Sequence, residues 1–382
     1  MKQKNTDSTR IIITGGGTGG HLFPGIALAQ AMINTLPRCE VLFIGTERKV
    51  DRNGLANMGF KAISLKGLGI KGKSPMAKIK AILFQPVALF QAARIIRKFR
   101  PDLVFGVGGY ISGPVILAAR LLGATTCIHE QNSIPGLANR ILGRIVHRIF
   151  VSLPGSEVYF PASRVVFSGN PLRSAILEKA SESRRREEGV SMTLLVLGGS
   201  QGARRLNSLM LEAAEGSFAG LTPLPHIIHQ TGTHDENRVR EKYNNLGITA
   251  RVQAFFTDMA EVYGAADLAV SRAGATTIAE LTACCKPAIL VPFPHAADNH
   301  QEMNGRYLVE AGGAVMFRQA ELDGKKLGEE IKRLLSDRKR LAEMAARAGK
   351  AAKPGATGTI VTECLKLLRN RAGSSRAKIF AL

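Results

Sequence analysis

The chain has 382 residues, 45% of them hydrophobic and 21% charged. This composition excludes a disordered or fibrous protein and suits roughly two globular domains. The net charge of +22 points to an anionic partner, whether nucleic acid, anionic lipid or a phosphorylated substrate. Five cysteines without Cys-x-x-Cys or zinc-ligand spacing argue for reduced thiols, not a metal or disulfide scaffold.

Residues 1–9 read as a polar, basic tail without the apolar run of a secretory signal. Short apolar runs then alternate with helical stretches. Residues 10–14, 41–45, 103–107, 125–129 and 148–152 are rich in Ile, Val and Leu, as buried parallel strands should be. Helices are expected from Pro24 to about 36, from Pro75 with Ser74 as N-cap, and from Pro86 to just before Pro101. The alternation begins again with strands at 193–197, 226–230, 251–255, 268–271 and 288–292, and helices at 276–284 and 299–311. Repeated strand–helix units imply parallel sheets with right-handed crossovers. The fold class is therefore α/β, with two Rossmann-like, doubly wound parallel-sheet domains facing across a cleft. The expected domains are 10–168 and 169–354, joined near 169–173. A last helix, about 355–370, could pack back on the first domain, and 371–382 reads as a second basic tail.

Motifs fall at the ends of the predicted strands. Thr14-Gly-Gly-Gly-Thr-Gly-Gly-His21 lies between a strand and a helix, where glycines allow close backbone approach and a helix start attracts phosphate. His21 suits a general base near neutral pH, or a histidine that only bonds locally. Gly106-Val-Gly-Gly-Tyr-Ile-Ser-Gly113 is a ligand-close turn or simply a tight connection. His129-Glu-Gln-Asn132 ends an apolar strand, where open α/β sheets bind ligands, although such residues can also just tie loops together. Gly198-Gly-Ser-Gln-Gly-Ala203 repeats the glycine-loop pattern in the second domain. Ser271-Arg-Ala-Gly-Ala-Thr-Thr-Ile-Ala-Glu280 offers a helix start for phosphate and, one turn in, a carboxylate suited to a ribose diol. A polar loop, 292–302, follows the next strand. No Asp-x-Asp occurs, so no metal cofactor is expected; helix ends, hydroxyls and Arg173 would neutralise a diphosphate.

Residues 52–101 carry no acid at all. Within 67–100, Lys71, Lys73, Lys78, Lys80, Arg94, Arg97, Lys98 and Arg100 are interleaved with Ile79, Leu83, Phe84, Val87 and Phe90. Such a segment suits an anionic membrane surface, or an apolar face turned to the core beneath solvated charges. The most apolar stretch, 81–93, is shorter than the about 20 residues that span a bilayer. Nucleic acid is not expected, because stacking aromatics do not accompany the charges.

In this order the motifs resemble the MurG family of peptidoglycan N-acetylglucosaminyltransferases, two-domain GT-B enzymes of glycosyltransferase family 28, over residues 11 to about 369. The resemblance implies a UDP-N-acetylglucosamine donor and a lipid acceptor, undecaprenyl-diphosphoryl-N-acetylmuramoyl-pentapeptide. It implies inverting transfer to the muramoyl 4-hydroxyl at the cytoplasmic face of the inner membrane, in peptidoglycan synthesis. Carried onto this chain, the donor would meet Thr18, Gly19, Gly20 and Asn132, then Arg173 and Ser200. Phe256 would lie by the uracil through its backbone. Ala275, Thr276, Thr277, Ile278, Ala279 and Glu280 would hold phosphate and ribose, and Gln301 the sugar hydroxyls. His21 is the candidate base. Contacts with other cell-wall synthesis proteins are open. The rival readings are another GT-B transferase with a different lipid or small-molecule acceptor, a nicotinamide-dependent oxidoreductase, and a non-enzymatic basic binding protein.

Overall fold

A computed structural model describes residues 8–46, 55, 58–65, 85–181, 191–218 and 221–379. The chain divides into two compact units. One contains the residues up to Arg173 and those from Gly355 onward; the other is Ser174–Pro354. Residues 169–173 thus belong to the first unit, not the second as the sequence suggested. Local hydrogen bonds explain why. The Ser168 and Gly169 N–H groups donate to Val151 O at 3.0 and 3.2 Å, and His129 Nε2 lies 3.1 Å from Gly169 O.

Among its described residues the first unit carries seven parallel strands: β1 (Thr9–Thr14), β2 (Cys39–Gly45), β3 (Lys61–Ser64), β4 (Leu103–Gly106), β5 (Thr125–Glu130), β6 (Arg148–Val151) and β7 (Val165–Phe167). Their order is β3-β2-β1-β4-β5-β6-β7. The second unit carries β8 (Thr193–Leu197), β9 (His226–Gln230), β10 (Ala250–Gln253), β11 (Leu268–Ser271), β12 (Ala288–Leu290) and β13 (Ala314–Met316), in the order β10-β9-β8-β11-β12-β13. In both sheets the order reverses beside the first strand, between β1 and β4 and between β8 and β11. A crevice opens outside the strand ends at such a switch point, and ligands bind there in doubly wound sheets.

The cores follow from strand periodicity. Ile12 packs with Ala92, Val104 and Val115 on one face of the first sheet. Ile11 and Ile13 pack on the other with Ile26, Met32 and Phe105. Ile360, Val361 and Cys364 of the C-terminal helix close that second layer. This helix runs Ala356–Ile379, well past the end expected from sequence and through much of the predicted tail. No proline interrupts it. Along it, Glu363 lies 3.7 Å from Arg148.

The first helix also differs from expectation. It begins at Gly19, not Pro24, with extended Thr18 as N-cap. The His21 and Leu22 N–H groups both reach Thr18 O, at 3.2 and 3.1 Å. A proline in the second turn is tolerated, so the last two glycines of the motif, Gly19 and Gly20, are already helical, whereas Gly15, Gly16 and Gly17 remain loop with positive φ. The helix expected from Pro75 lies outside the described residues. Its successor, Gln85–Phe99, ends at Arg100, whose φ of 54° stops it before Pro101. Among the described residues, no helix is long and apolar enough to cross a membrane.

Two fully buried histidines make stability depend on pH. Burial pushes His129 down from its ordinary 6.5 to about 4, and His229 from 6.5 to about 3. Both are neutral in the folded protein near neutral pH, whereas the unfolded chain takes up protons below 6.5. Their stabilising contribution is present above 6.5 and is lost as pH falls toward 4 and below. The urea midpoint is expected to fall with pH across that window, and less steeply in His129→Asn than in the wild type. Equal slopes would contradict the assignment.

Candidate active site

In the first unit, three loops meet at strand ends beside the β1/β4 crevice. Gly15, Gly16 and Gly17 have φ of 151°, 128° and 90°; Gly108 and Gly109 have 99° and 87°. A Cβ on Gly15 would lie 2.6 Å from Gly108 O, and one on Gly109 2.8 Å from Gly16 O. The two glycine motifs therefore let two backbones touch, which no side chain would permit. This reading joins the alternatives left open for the second motif: it is a tight connection whose tightness builds the crevice floor.

His21 lies in the first helical turn with its Nδ1–Cε1 edge against that floor. A Cβ on Gly108 would come within 2.9 Å of both atoms. Thr18 and Gly20 beside it are exposed, and Gly19 is buried. Arg173 reaches the same helix, its guanidinium carbon 4.5 Å from the centre of the Phe23 ring.

The His129–Asn132 motif is largely architectural. His129 Nε2 lies 3.1 Å from Gly169 O and 3.0 Å from Ser152 Oγ. The buried Glu130 carboxylate accepts from the Asn132 N–H at 2.9 Å and its Nδ2 at 3.1 Å. It also accepts from the Gly136 N–H at 3.2 Å and Asn139 Nδ2 at 2.9 Å. Gln131 Nε2 donates to Val107 O at 2.8 Å, tying this loop to the second glycine turn. Only half-buried Asn132 stands toward solvent, placed by Glu130.

In the second unit the residues singled out from sequence gather at the ends of β8, β10, β11 and β12. Gly199 and Gly202 have φ of 86° and 76°, and the Gly202 N–H donates to Gly199 O at 3.0 Å, closing the turn that carries Ser200. Beyond β11, the helix Ala275–Ala283 starts its ladder with the Ile278 N–H on Gly274 O at 2.9 Å. The amides of Ala275, Thr276 and Thr277 precede that first bond, at the positive end of the helix. Glu280 is buried, and its Oε2 accepts from the Tyr263 hydroxyl at 2.9 Å. Gln301 Oε1 accepts from the Phe293 N–H at 2.8 Å, so that side chain also shapes the loop after β12.

Gln230 and Tyr263 of this unit were not singled out from sequence, and Arg272 and Glu302, inside motifs that were, had been given no role. Buried Arg272 donates to Val291 O at 3.0 Å, Pro292 O at 3.1 Å and Gln319 Oε1 at 2.7 Å. Burial lowers it to about 10, still charged at neutral pH. Glu302 receives Arg318 at 2.7 Å and Asn299 at 2.8 Å, and these, Arg318 above all, hold its carboxyl down to about 2. Together they brace the loop after β12 and the start of the helix His300–Glu310, which carries Gln301. For Gln230 a signal existed: it is a polar residue ending an apolar strand, the same feature that marked 129–132. Among the described residues, no group of three or more His, Cys, Asp or Glu is placed to hold a metal ion.

Two doubly wound units with glycine turns and a helix start at their switch points define a nucleotide-dependent α/β protein. Residues 11–151 match the glycosyltransferase family 28 N-terminal domain and residues 193–359 the C-terminal domain. The chain belongs to glycosyltransferase family 28. It is 49% identical to the UDP-N-acetylglucosamine–N-acetylmuramyl-(pentapeptide) pyrophosphoryl-undecaprenol N-acetylglucosamine transferase of Desulfotalea psychrophila, over 96% of this chain and 98% of that one. The enzyme of the same name from Myxococcus xanthus is 44% identical, over 94% and 93%. The crystal structure of Acinetobacter baumannii MurG superposes with a TM-score of 0.72 at 30% identity, covering 94% of this chain and 99% of that one. A UDP-N-acetylglucosamine 2-epimerase, at 14% identity and a TM-score of 0.67, shares the fold.

Proposed function

We propose that this chain transfers N-acetylglucosamine from UDP-N-acetylglucosamine to the 4-hydroxyl of undecaprenyl-diphosphoryl-N-acetylmuramoyl-pentapeptide, with inversion, making the lipid-linked disaccharide of peptidoglycan synthesis. Its near-full-length likeness to transferases of that name, at 44% to 49% identity, carries the reading. The geometry of each unit supports it. Glu280, one of its oxygens held by Tyr263, would accept from the two ribose hydroxyls. The helix start at Ala275 and the turn carrying Ser200 would offer N–H groups to the diphosphate. His21 takes the proton of the muramoyl hydroxyl as that oxygen bonds the anomeric carbon. The bond from that carbon to the diphosphate oxygen breaks, and UDP departs with the electron pair. No metal is needed for this charge balance.

A lipid-linked acceptor supports a site of action at the cytoplasmic face of the inner membrane. The helix Gln85–Phe99 suits that surface, because its apolar residues divide. Ala88, Ala92 and Ile96 are buried, whereas Val87 and Phe90 are exposed together with Arg94, Arg97 and Lys98. The rest of the basic segment, 67–84, lies outside the described residues. Phe90→Ser is expected to weaken co-sedimentation with phosphatidylglycerol vesicles several-fold, on the order of 1–2 kcal/mol of lost apolar burial. Unchanged binding would remove this helix from the membrane contact.

The activity itself is tested by UDP release with and without the lipid-linked acceptor, using UDP-glucose as control donor. Acceptor-dependent release that favours N-acetylglucosamine fits the proposal. Binding of UDP without such turnover would send the search to other acceptors.

A further inference from the structure

We infer that Gln230 is a positioning residue that orients both the phosphate-side and the uracil-side loops of the donor site, an inference that rests on the donor reading above. Gln230 is the last residue of β9, which lies between β8 and β10. The strand on one side leads into the turn carrying Ser200, and the strand on the other into the loop carrying Phe256. The side chain is buried and reaches both loops. Its Nε2 donates to Gly199 O at 3.0 Å, and its Oε1 accepts from the Phe256 N–H at 3.1 Å.

Peptide planarity turns these two bonds into directions. Gly199 O and the Ser200 N–H belong to one peptide unit and point opposite ways. Anchoring the carbonyl on Gln230 therefore aims the Ser200 N–H away from β9. Likewise, holding the Phe256 N–H aims Phe255 O outward, and it leaves Phe256 its carbonyl as the backbone group to meet uracil. Gly199 O is held from two sides, by Gln230 and, within the turn, by the Gly202 N–H at 3.0 Å; of the two, Gln230 alone ties the peptide to β9. The backbone reinforces the spacing: the Gly198 N–H donates to Gln230 O at 3.3 Å, and the Gly232 N–H to Ala254 O at 3.0 Å. A Cβ on Gly232 would come within 2.6 Å of Gln201 O. A primary amide supplies a donor and an acceptor side by side at this reach, and asparagine is one methylene short.

The test is Gln230→Glu. An ionised carboxylate still accepts from the Phe256 N–H but turns an oxygen toward Gly199 O, and that repulsion tilts the Ser200 peptide although the Gly202 N–H still holds Gly199 O. Above about pH 8, UDP affinity is expected to fall about ten- to a hundredfold while uridine affinity changes less than about threefold. KM for UDP-N-acetylglucosamine should rise more than kcat falls. As pH drops toward about 5.5 the buried carboxyl takes up a proton, regains a donor and should recover UDP binding, which the wild type does not do over the same range. Gln230→Met, without a buried charge, should weaken both UDP and uridine and show no pH recovery. Equal losses for UDP and uridine in Gln230→Glu, or wild-type UDP affinity in either variant, would overturn the inference. A wild-type protein that fails to bind UDP would overturn the donor reading itself.

Discussion

Glu280→Ala is expected to raise KM for UDP-N-acetylglucosamine about ten- to a hundredfold, the range for losing hydrogen bonds to a charged group in a desolvated site. The carboxylate sits in the second turn of the helix Ala275–Ala283, and Tyr263 holds one of its oxygens at 2.9 Å. A carboxylate has acceptor capacity beyond that one hydroxyl, enough for a ribose diol. The loss should depend on the sugar. Wild-type protein should prefer UDP to its 2′-deoxy analogue, and Glu280→Ala should not. Tyr263→Phe keeps the charge but releases the carboxylate, so its KM should rise only a few-fold. If Glu280→Ala retained the preference for the ribose form, Glu280 would not be the diol ligand.

His21→Ala should act on turnover instead. Removing a positioned general base costs about 100- to 10,000-fold in kcat, and donor affinity should stay near normal. Gly108→Ala probes the same ring without removing it. The added Cβ would meet His21 Nδ1 and Cε1 at 2.9 Å, so the imidazole must move. A displacement near 1 Å can cost about a hundredfold in rate. Both variants should bind UDP like the wild type and retain its circular dichroism. Near-full turnover in His21→Ala would remove the base assignment. Near-full turnover in Gly108→Ala would mean that the ring's placement against the glycine floor does not matter.

The fold was legible where strands are buried on both faces. β1, β8 and β11 are continuous apolar runs and appear close to the expected limits. The strands missed are those without such a run. Every residue of β3 is exposed, and β7 and β13 are three-residue edge strands. The start of the first helix was misread because five glycines in seven residues signal a loop, whereas only Gly15, Gly16 and Gly17 are loop and Gly19 and Gly20 follow the N-cap Thr18 into the helix. In the candidate site, glycine turns and the helix start were visible as local patterns. The roles of Gln230, Tyr263 and Arg272 were not, because each acts on a segment distant in sequence. Which loops adjoin is fixed by strand order, and the order β10-β9-β8-β11-β12-β13 cannot be read from any one motif. The same limit applies to His129-Glu-Gln-Asn132: its position at a strand end was legible, but not that most of its polar groups tie neighbouring loops.

The most direct test of the central claim is product analysis after incubating the protein with radiolabelled UDP-N-acetylglucosamine and the undecaprenyl-diphosphoryl muramoyl-pentapeptide. The account predicts that label enters the lipid fraction as a β-linked disaccharide on the 4-hydroxyl, with one UDP released per sugar transferred. Label that stays with the nucleotide, or that enters the lipid as the α-anomer, would contradict it.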